Sequence, residues 1–389
     1  MNTFLAITNV SICVLCATLF ALTPKRTRDM YLFGVRIPPP EQRSPEARKM
    51  KKRYIATCFA GMTALAAICI AQFTAFRDIT LLTTLYLPIL ITPVFFGAYI
   101  PNWKAAIRLK AERGWQTHIA AYADMHTTRE RGPMTALSWG WYMAGFAIVM
   151  ASVLVANFMY SSLPDMIPTR FGINMQPTVL ASRTWFTVLQ FPLINGLALL
   201  VMTLIAIMIQ RVKLQVDPAR PRISFAQHSV YRRRLGHAFG LLTITIVLNL
   251  AAIGLRVLFP YSPLATQPVI FWGGWAAILI QVAAIEGITV NSGQGGHKIK
   301  IDLPDEERDM SDEPAQDVQP EPRLDDDKHW KLGLFYCNAN DPAGIVEHRF
   351  GNKLSFNFAI LPAKIAVALI GAGAAAAYVW ATIAIFSYV

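Results

Sequence analysis

The sequence is poor in charge. Only 15% of its 389 residues are Asp, Glu, Lys or Arg, whereas soluble globular domains average about 25%. This deficit excludes an ordinary cytosolic enzyme and a disordered protein. Five cysteines in a chain of this length exclude a small disulfide scaffold. The hydrophobic content of 54% instead predicts a membrane domain with modest polar loops.

Enzymatic signatures are also missing from the sequence. It contains no His-Glu-x-x-His zinc helix, no Gly-x-Ser-x-Gly elbow and no Walker loop. The seven histidines do not have metal-ligand spacing. We therefore expect a protein that is not an enzyme, with no catalytic residue, metal or cofactor. The net charge of +12 does not predict nucleic-acid binding, because no basic run is interleaved with aromatic residues.

Long apolar runs are what the sequence has instead. A run of about 20 residues crosses the roughly 30 Å hydrocarbon core of a bilayer, and proline or glycine inside such a run is tolerated. Runs of this kind lie at 3–22, 54–73, 79–100, 138–160, 185–209, 238–259, 268–290 and 360–388. They predict an all-α polytopic membrane protein with about eight transmembrane helices and the lipid bilayer as its partner.

The basic residues give the predicted orientation. Nearly all of the 36 lysines and arginines fall in the loops after spans 1, 3 and 5 or just before span 8. By the positive-inside rule these segments face the cytoplasm. We expect a multi-pass protein of the plasma membrane with both termini outside. The basic stretch 102–115 predicts either an interfacial helix or an extension of the third span.

The polar segments divide the chain into five regions. These are a three-span region with basic loops (1–137), a four-span core (138–290), an acidic linker (291–328), a small flap (329–359) and the last span (360–389). In the flap, aromatic and leucine residues alternate from Trp330 to Tyr336 with the period of a strand. We expect a small β-containing cytoplasmic flap before the last helix, with Trp330, Tyr336, Asp341 and Arg349 as its candidate functional residues.

The outer loop between spans 4 and 5 contains three prolines, Pro164, Pro168 and Pro177, which exclude a long helix. We expect a compact loop that either recognises an extracellular ligand or closes a helical hairpin. The candidate ligand-binding residues are Asp165, Arg170, Phe171 and Asn174, and Asp165 is close enough in sequence to pair with Arg170.

Polar residues inside the spans are a further candidate set, because they are costly in lipid. They are Asn249, Arg256, Gln281, Glu286 and Lys364. Asn249 and Gln281 lie at similar depth, which predicts either a hydrogen bond between helices or part of a transport pathway. Glu286 and Lys364 each lie near the inner end of a span and can form an ion pair. Arg256 either snorkels outward or meets Asp165.

Two motifs resemble known bacterial families. LPDMIPTRFGINMQP (163–177) resembles the signature of an uncharacterised domain in SdpI-like immunity proteins, which protect against a secreted killing peptide. Arg170 stands where that signature commonly has histidine, and Met175 where it commonly has glycine. DDKHWKLGLFYCNANDPAGIVEHRFGNKLSFNFA (326–359) resembles a second uncharacterised domain often fused after the first. The resemblance implies an integral plasma-membrane protein without known catalysis.

The leading hypothesis is a non-enzymatic membrane protein related to peptide-toxin immunity and signalling proteins. Its outer loop would meet an extracellular peptide or envelope ligand, and its flap a cytoplasmic regulator. The alternative is a transporter or channel that uses the polar residues of spans 5 to 7.

Overall fold

The structure of the chain is a computed structural model. It describes residues 2–76, 79–115, 138–171, 176–213, 221–260, 262, 267–301, 326–351 and 353–386.

Eight long helices occupy most of the described residues. They are α1 (Asn2–Arg26), α2 (Pro45–Ala75), α3 (Thr80–Glu112), α4 (Trp139–Met159), α5 (Trp185–Arg211), α6 (Pro221–Leu258), α7 (Pro268–Ser292) and α8 (Leu361–Phe386). Within the described residues, the first seven are long and apolar enough to cross a membrane, and α8 is apolar over residues 361–376. The predicted all-α polytopic fold is confirmed.

The helices extend beyond the predicted spans at their charged ends. Ser44 caps α2, since its hydroxyl accepts a hydrogen bond from the amide of Ala47 at 3.3 Å. The α3 helix continues without a break through Pro88, Pro93 and Pro101 to Glu112. The basic stretch after Ile100 is therefore an extension of the third span, and the interfacial-helix alternative is wrong.

In the part of the chain that the structure describes, four antiparallel strand pairs lie between the helices. Their strands are β1 (Tyr31–Leu32), β2 (Val35–Arg36), β3 (Met166–Phe171), β4 (Pro177–Ser182), β5 (Trp330–Lys331), β6 (Phe335–Tyr336), β7 (Ile345–Glu347) and β8 (Leu354–Phe356). The expected β-containing flap is present. The alternating run in it, however, is a hairpin rather than one strand, because Leu332 and Gly333 adopt positive φ of 55° and 69° and reverse the chain.

The chain divides into two compact units. The first consists of residues 1–128, 212–228 and 289–389. In it α1, α2 and α3 pack around a core that includes Tyr54, Tyr99 and Phe350, and a second cluster includes Met62 and Leu87. The α8 helix packs against α3, where the hydroxyls of Tyr86 and Thr382 lie 2.9 Å apart.

The second unit consists of residues 129–211 and 229–288. It contains α4, α5, most of α6 and most of α7, together with the β3–β4 hairpin. One core cluster joins Tyr142, Leu199 and Val247. Another joins Ala156, Val188 and Val257 with the hairpin residue Ile167.

Candidate functional site

The predicted outer loop is a β-hairpin between α4 and α5. Strands β3 and β4 pair with Ile167 opposite Ala181 and with irregular register around Arg170. The hairpin has a buried side, where Ile167 has no exposed surface and packs among residues of the helices. On its other side, Met166 and Leu180 are about half exposed. Val179, next to Leu180 in β4, is 41% exposed.

Arg183 holds the base of this hairpin. Its Nη1 donates to the carbonyl of Leu163 at 2.6 Å and its Nη2 to Oδ1 of Asp165 at 3.3 Å. The guanidinium also lies over the ring of Tyr160, which stacks on Trp185 with centroids 3.8 Å apart. Arg183 was not predicted as a partner of Asp165. The pairing of Met166 with Ser182 places these two charges opposite each other, so the strand register is the signal that identifies them.

The remaining outer-loop candidates lie in different surroundings. Phe171 is half-buried and packs against the cluster around Ile167, so it stabilises the hairpin. Arg170 lies in β3 opposite Val179, and its side chain is outside the described atoms. Asn174 lies outside the described residues. Asp165 is the exposed member of the set, with 95% of its side chain accessible.

The polar residues inside the second unit have local partners. The amide of Gln281 donates to the hydroxyl of Thr245 at 2.8 Å, so the predicted bond with Asn249 is wrong; Asn249 packs beside Gly274 instead. The predicted partner was off by one helical turn, since Thr245 lies four residues before Asn249 on the same face of α6. Arg256 is buried, donates to the carbonyl of Gln267 at 3.3 Å and lies over the Phe271 ring, so it does not snorkel.

The transport pathway through the polar residues of these spans stays a prediction. One polar residue of α5, Asn195, has little space beside it. Asn195 donates to the carbonyl of Val247 at 3.0 Å, and the cavity beside it has a volume of about 10 Å³. That is room for about one water. Glu286 is half-buried on α7 and Lys364 is exposed at the start of α8. Their pairing stays a prediction.

Two hairpin tips meet in the first unit. Phe33 and Gly34, between β1 and β2, have φ of 48° and 78°, which matches the positive φ values of Leu332 and Gly333. The tips touch each other, and the hydroxyl of Tyr99 lies 2.9 Å from the Phe33 carbonyl and 3.0 Å from the Leu332 carbonyl. The β1–β2 hairpin was not predicted. The signal for it is a shared pattern, because Tyr31-Leu-Phe-Gly34 and Trp330-Lys-Leu-Gly333 both place glycine three residues after an aromatic residue.

Arg349 lies between these two hairpins. Its side chain is fully buried, with the guanidinium 5.1 Å from the Tyr31 ring centroid and 4.9 Å from the Trp330 ring centroid. It forms an ion pair with Asp327. Asp327 also accepts from Lys110 Nζ at 2.6 Å. The predicted linker therefore ends before Asp327, which belongs to the folded flap.

Asp341 connects the flap to the chain that follows α5. Its Oδ2 accepts from Lys213 Nζ at 2.8 Å and from the Tyr336 hydroxyl at 2.9 Å, and its Oδ1 from the amide of Ala343. Burial opposes ionisation of this carboxyl, but these hydrogen bonds outweigh it and hold its pKa below the ordinary value. Trp330, Tyr336, Asp341 and Arg349 are thus brought together, as structural members of one polar network.

A second buried ion pair lies under the flap. Arg28 donates to Glu347 at 2.8 Å and lies 2.9 Å from Nε2 of His228 at the start of α6. Gly295 packs directly against both Arg28 and His228, where a side chain would not fit. The stretch Gly293–Gly296 was predicted as part of the linker, whereas residues 294–296 are buried.

The comparisons with known proteins point to the hairpin. Residues 147–196 match the family described as Domain of unknown function (DUF1648). This domain occurs in SdpI-like membrane proteins. The matched stretch covers part of α4, the β3–β4 hairpin and the first part of α5. No curated protein and no solved structure matches the chain.

The chemistry of His348 predicts that the flap loosens in acid. Burial, with smaller contributions from Lys353 and Arg349, lowers the His348 pKa to about 4, and its Nδ1 accepts from the amide of Phe350 at 3.0 Å. Below pH 6.5, the ordinary pKa of histidine, His348 therefore binds a proton in the unfolded flap but stays neutral in the folded flap until the pH nears 4. The contribution of His348 to the stability of the flap is fully present above about pH 6.5. It is lost as the pH falls toward 4, by about 3 kcal/mol in total.

Hydrogen exchange of the flap peptides, corrected for intrinsic rates, measures this loss. We expect protection of residues 330–350 to fall steadily between pH 6.5 and 4. His297 acts in the same direction, because burial also lowers its pKa. The His348→Gln variant should therefore keep only a smaller acid dependence. Equal slopes in the variant and the natural protein would contradict the assignment to His348.

Proposed function

We propose that this chain is a non-enzymatic plasma-membrane protein that binds an extracellular peptide on its β3–β4 hairpin, as a relative of peptide-toxin immunity and signalling proteins. The match over residues 147–196 supports this proposal, since it includes the whole hairpin. The resemblance of residues 163–177 to the signature of killing-peptide immunity proteins points to the same segment.

The observation that carries the proposal is the free edge of the hairpin. In the described part of the chain, β3 and β4 pair only with each other. A two-stranded ribbon offers its outer backbone groups to an added strand, and many peptide-binding domains use this mode. Pro168 removes one donor from the middle of β3, whereas β4 has its only proline at its first residue. The β4 edge is thus the better template.

The side chains next to this edge suit an amphipathic peptide. Met166, Val179 and Leu180 are exposed and apolar, although they lie on a strand pair and not on a membrane-spanning helix. Asp165 is also exposed at the base of the same hairpin, where Arg183 pairs with it. The exposed apolar side chains favour a peptide with an apolar face.

The orientation required by the proposal has support from the first unit. The flap contacts the last turn of α3 and the segments that follow α1 and α5, through Lys110–Asp327, Arg28–Glu347 and Lys213–Asp341. These basic segments therefore lie together on one side. By the positive-inside rule, their charge favours the cytoplasmic side. In that orientation both termini would lie outside, and the flap would be accessible to a cytoplasmic regulator.

Sensitivity to secreted amphipathic killing peptides tests the proposal. We expect cells lacking the gene to be inhibited at peptide concentrations at least fourfold lower than cells that carry it. A Leu180→Thr variant should protect no better than the deletion, because threonine keeps the strand but removes the apolar contact. Leu354→Thr is the matched control, since Leu354 is also an exposed strand leucine but lies in the flap.

Two results would count against this function. Unchanged sensitivity of the deletion strain to every peptide would exclude immunity. Full protection by Leu180→Thr, in cells where the deletion is sensitive, would remove the hairpin from the binding site.

A further inference from the structure

A basic groove lies in the first unit between the start of α2 and the end of α3. It has a volume of about 720 Å³, which is within the range of small-molecule sites. Four cationic side chains line it, together with apolar residues that form its floor. The cations are Lys49, Lys52, Arg53 and Arg108, and the floor includes Met50 and Leu109.

Two side-chain contacts fix the ends of this groove. At one end, Arg53 Nε donates to Oδ1 of Asn102 at 3.0 Å. At the other end, Arg113 pairs with Glu46 at 3.1 Å. Glu46 is one of two carboxylates in the lining, the other being Glu112, and its charge is already balanced. The helices are thus held apart at a defined spacing.

The cations between these contacts outnumber the remaining carboxylate of the lining, Glu112, by three to one. Lys49, Lys52 and Arg108 are exposed and form no ion pair with any residue that the structure describes. Three like charges on facing helices repel each other unless an anion lies between them. A phosphate group suits this position, because lysine and arginine donate to its oxygens with charge-assisted hydrogen bonds.

The depth of the groove favours a lipid over a soluble anion. The α2 and α3 helices have 31 and 33 residues, whereas about 20 cross the hydrocarbon core. The excess lies at the charged ends, since residues such as Lys52 and Arg53 are excluded from hydrocarbon. The groove therefore lies at the level of the lipid headgroups. The end of the groove nearer the bilayer centre is lined by Ala56, where the apolar part of α2 begins.

We propose that this groove binds an anionic phospholipid of the surrounding bilayer. The phosphate lies among Lys49, Lys52 and Arg108, and Met50 and Leu109 contact the upper part of the acyl chains. Basic pockets between membrane helices on the side of the basic loops are suited to such headgroups. The bound lipid reduces the repulsion between the facing cations and joins α2 to α3.

Native mass spectrometry of the full chain in detergent tests this site with three probes: phosphatidylglycerol, phosphatidylcholine and inorganic phosphate. We expect tight phosphatidylglycerol adducts, at least tenfold weaker phosphatidylcholine binding and no phosphate adduct. The variant Lys49→Gln, Lys52→Gln and Arg108→Gln should bind phosphatidylglycerol at least tenfold more weakly. A control with the same charge change, Lys300→Gln, Lys328→Gln and Lys331→Gln, alters exposed lysines outside the groove and should bind normally.

Each other outcome overturns the proposal. Equal affinity for the two lipids means that the groove does not discriminate between lipids by headgroup charge. An equal loss of phosphatidylglycerol affinity in both triple variants means that only the net charge of the protein matters. Inorganic phosphate that competes with the lipid would make the ligand a soluble anion. Thermal unfolding confirms that the variants fold, and the single variant Arg108→Gln repeats the test if the triple variant does not.

Discussion

Replacing Gly34 with alanine is expected to open the flap. Gly34 has a φ of 78°, which alanine adopts only at a cost of about 1–2 kcal/mol. Its added Cβ would also lie 2.8 Å from both the Tyr99 hydroxyl and the Gly333 Cα, so the two hairpin tips could not touch. With overpacking included, we expect a loss of about 3 kcal/mol or more from the free energy of flap opening.

Trypsin provides the measurement for this variant. The bond after Arg349 is cut only when the flap opens, because Arg349 is fully buried. Gly114→Ala is the matched control, since Gly114 also has positive φ, at 61°, and no described atom lies within 4 Å of the position that the alanine methyl group would take. The Gly114→Ala variant therefore has the same unfavourable backbone conformation as Gly34→Ala but no steric clash. Equal cleavage after Arg349 in both variants would mean that the tips are not what holds the flap closed.

The membrane helices were predictable because the signal for each one is local. The run 268–290 corresponds to α7 (Pro268–Ser292), and the run 185–209 corresponds to α5 (Trp185–Arg211). The predicted and observed ends of these two helices agree within two residues. A span is determined by the length of its own apolar stretch against the bilayer thickness, and no distant residue is needed. The outer loop was predicted as structured for a similar reason, since its prolines exclude the helix on either side.

The flap contacts could not be predicted, because they join residues far apart in sequence. Tyr99 contacts Leu332, and Arg28 contacts Glu347. The strands of these hairpins have only two or three residues each, too few to show a strand period. The same limit explains the wrong partner for Gln281, since residue depth along a helix predicts a level in the membrane but not which of two successive turns faces the neighbour.

Replacing Asp327 with asparagine is expected to have the second large effect. Asp327 is the carboxylate shared by Arg349 and Lys110. Removing it leaves the Arg349 charge buried between Tyr31 and Trp330, and breaking a buried pair from one side costs about 3–5 kcal/mol. Because 28% of the Asp327 side chain is exposed, we expect the lower end, about 3 kcal/mol. Tryptic cleavage after Arg349 and thermal unfolding of the full chain measure it.

The hairpin supplies a control with the identical substitution. Asp165 also pairs with an arginine, but 95% of its side chain is exposed, and exposed pairs contribute less than about 1 kcal/mol. Asp165→Asn should therefore leave cleavage after Arg349 unchanged. If both variants opened the flap equally, burial of the Arg349 charge would not be the cause. If neither did, the aromatic rings on both sides of Arg349 would hold the flap closed without the carboxylate.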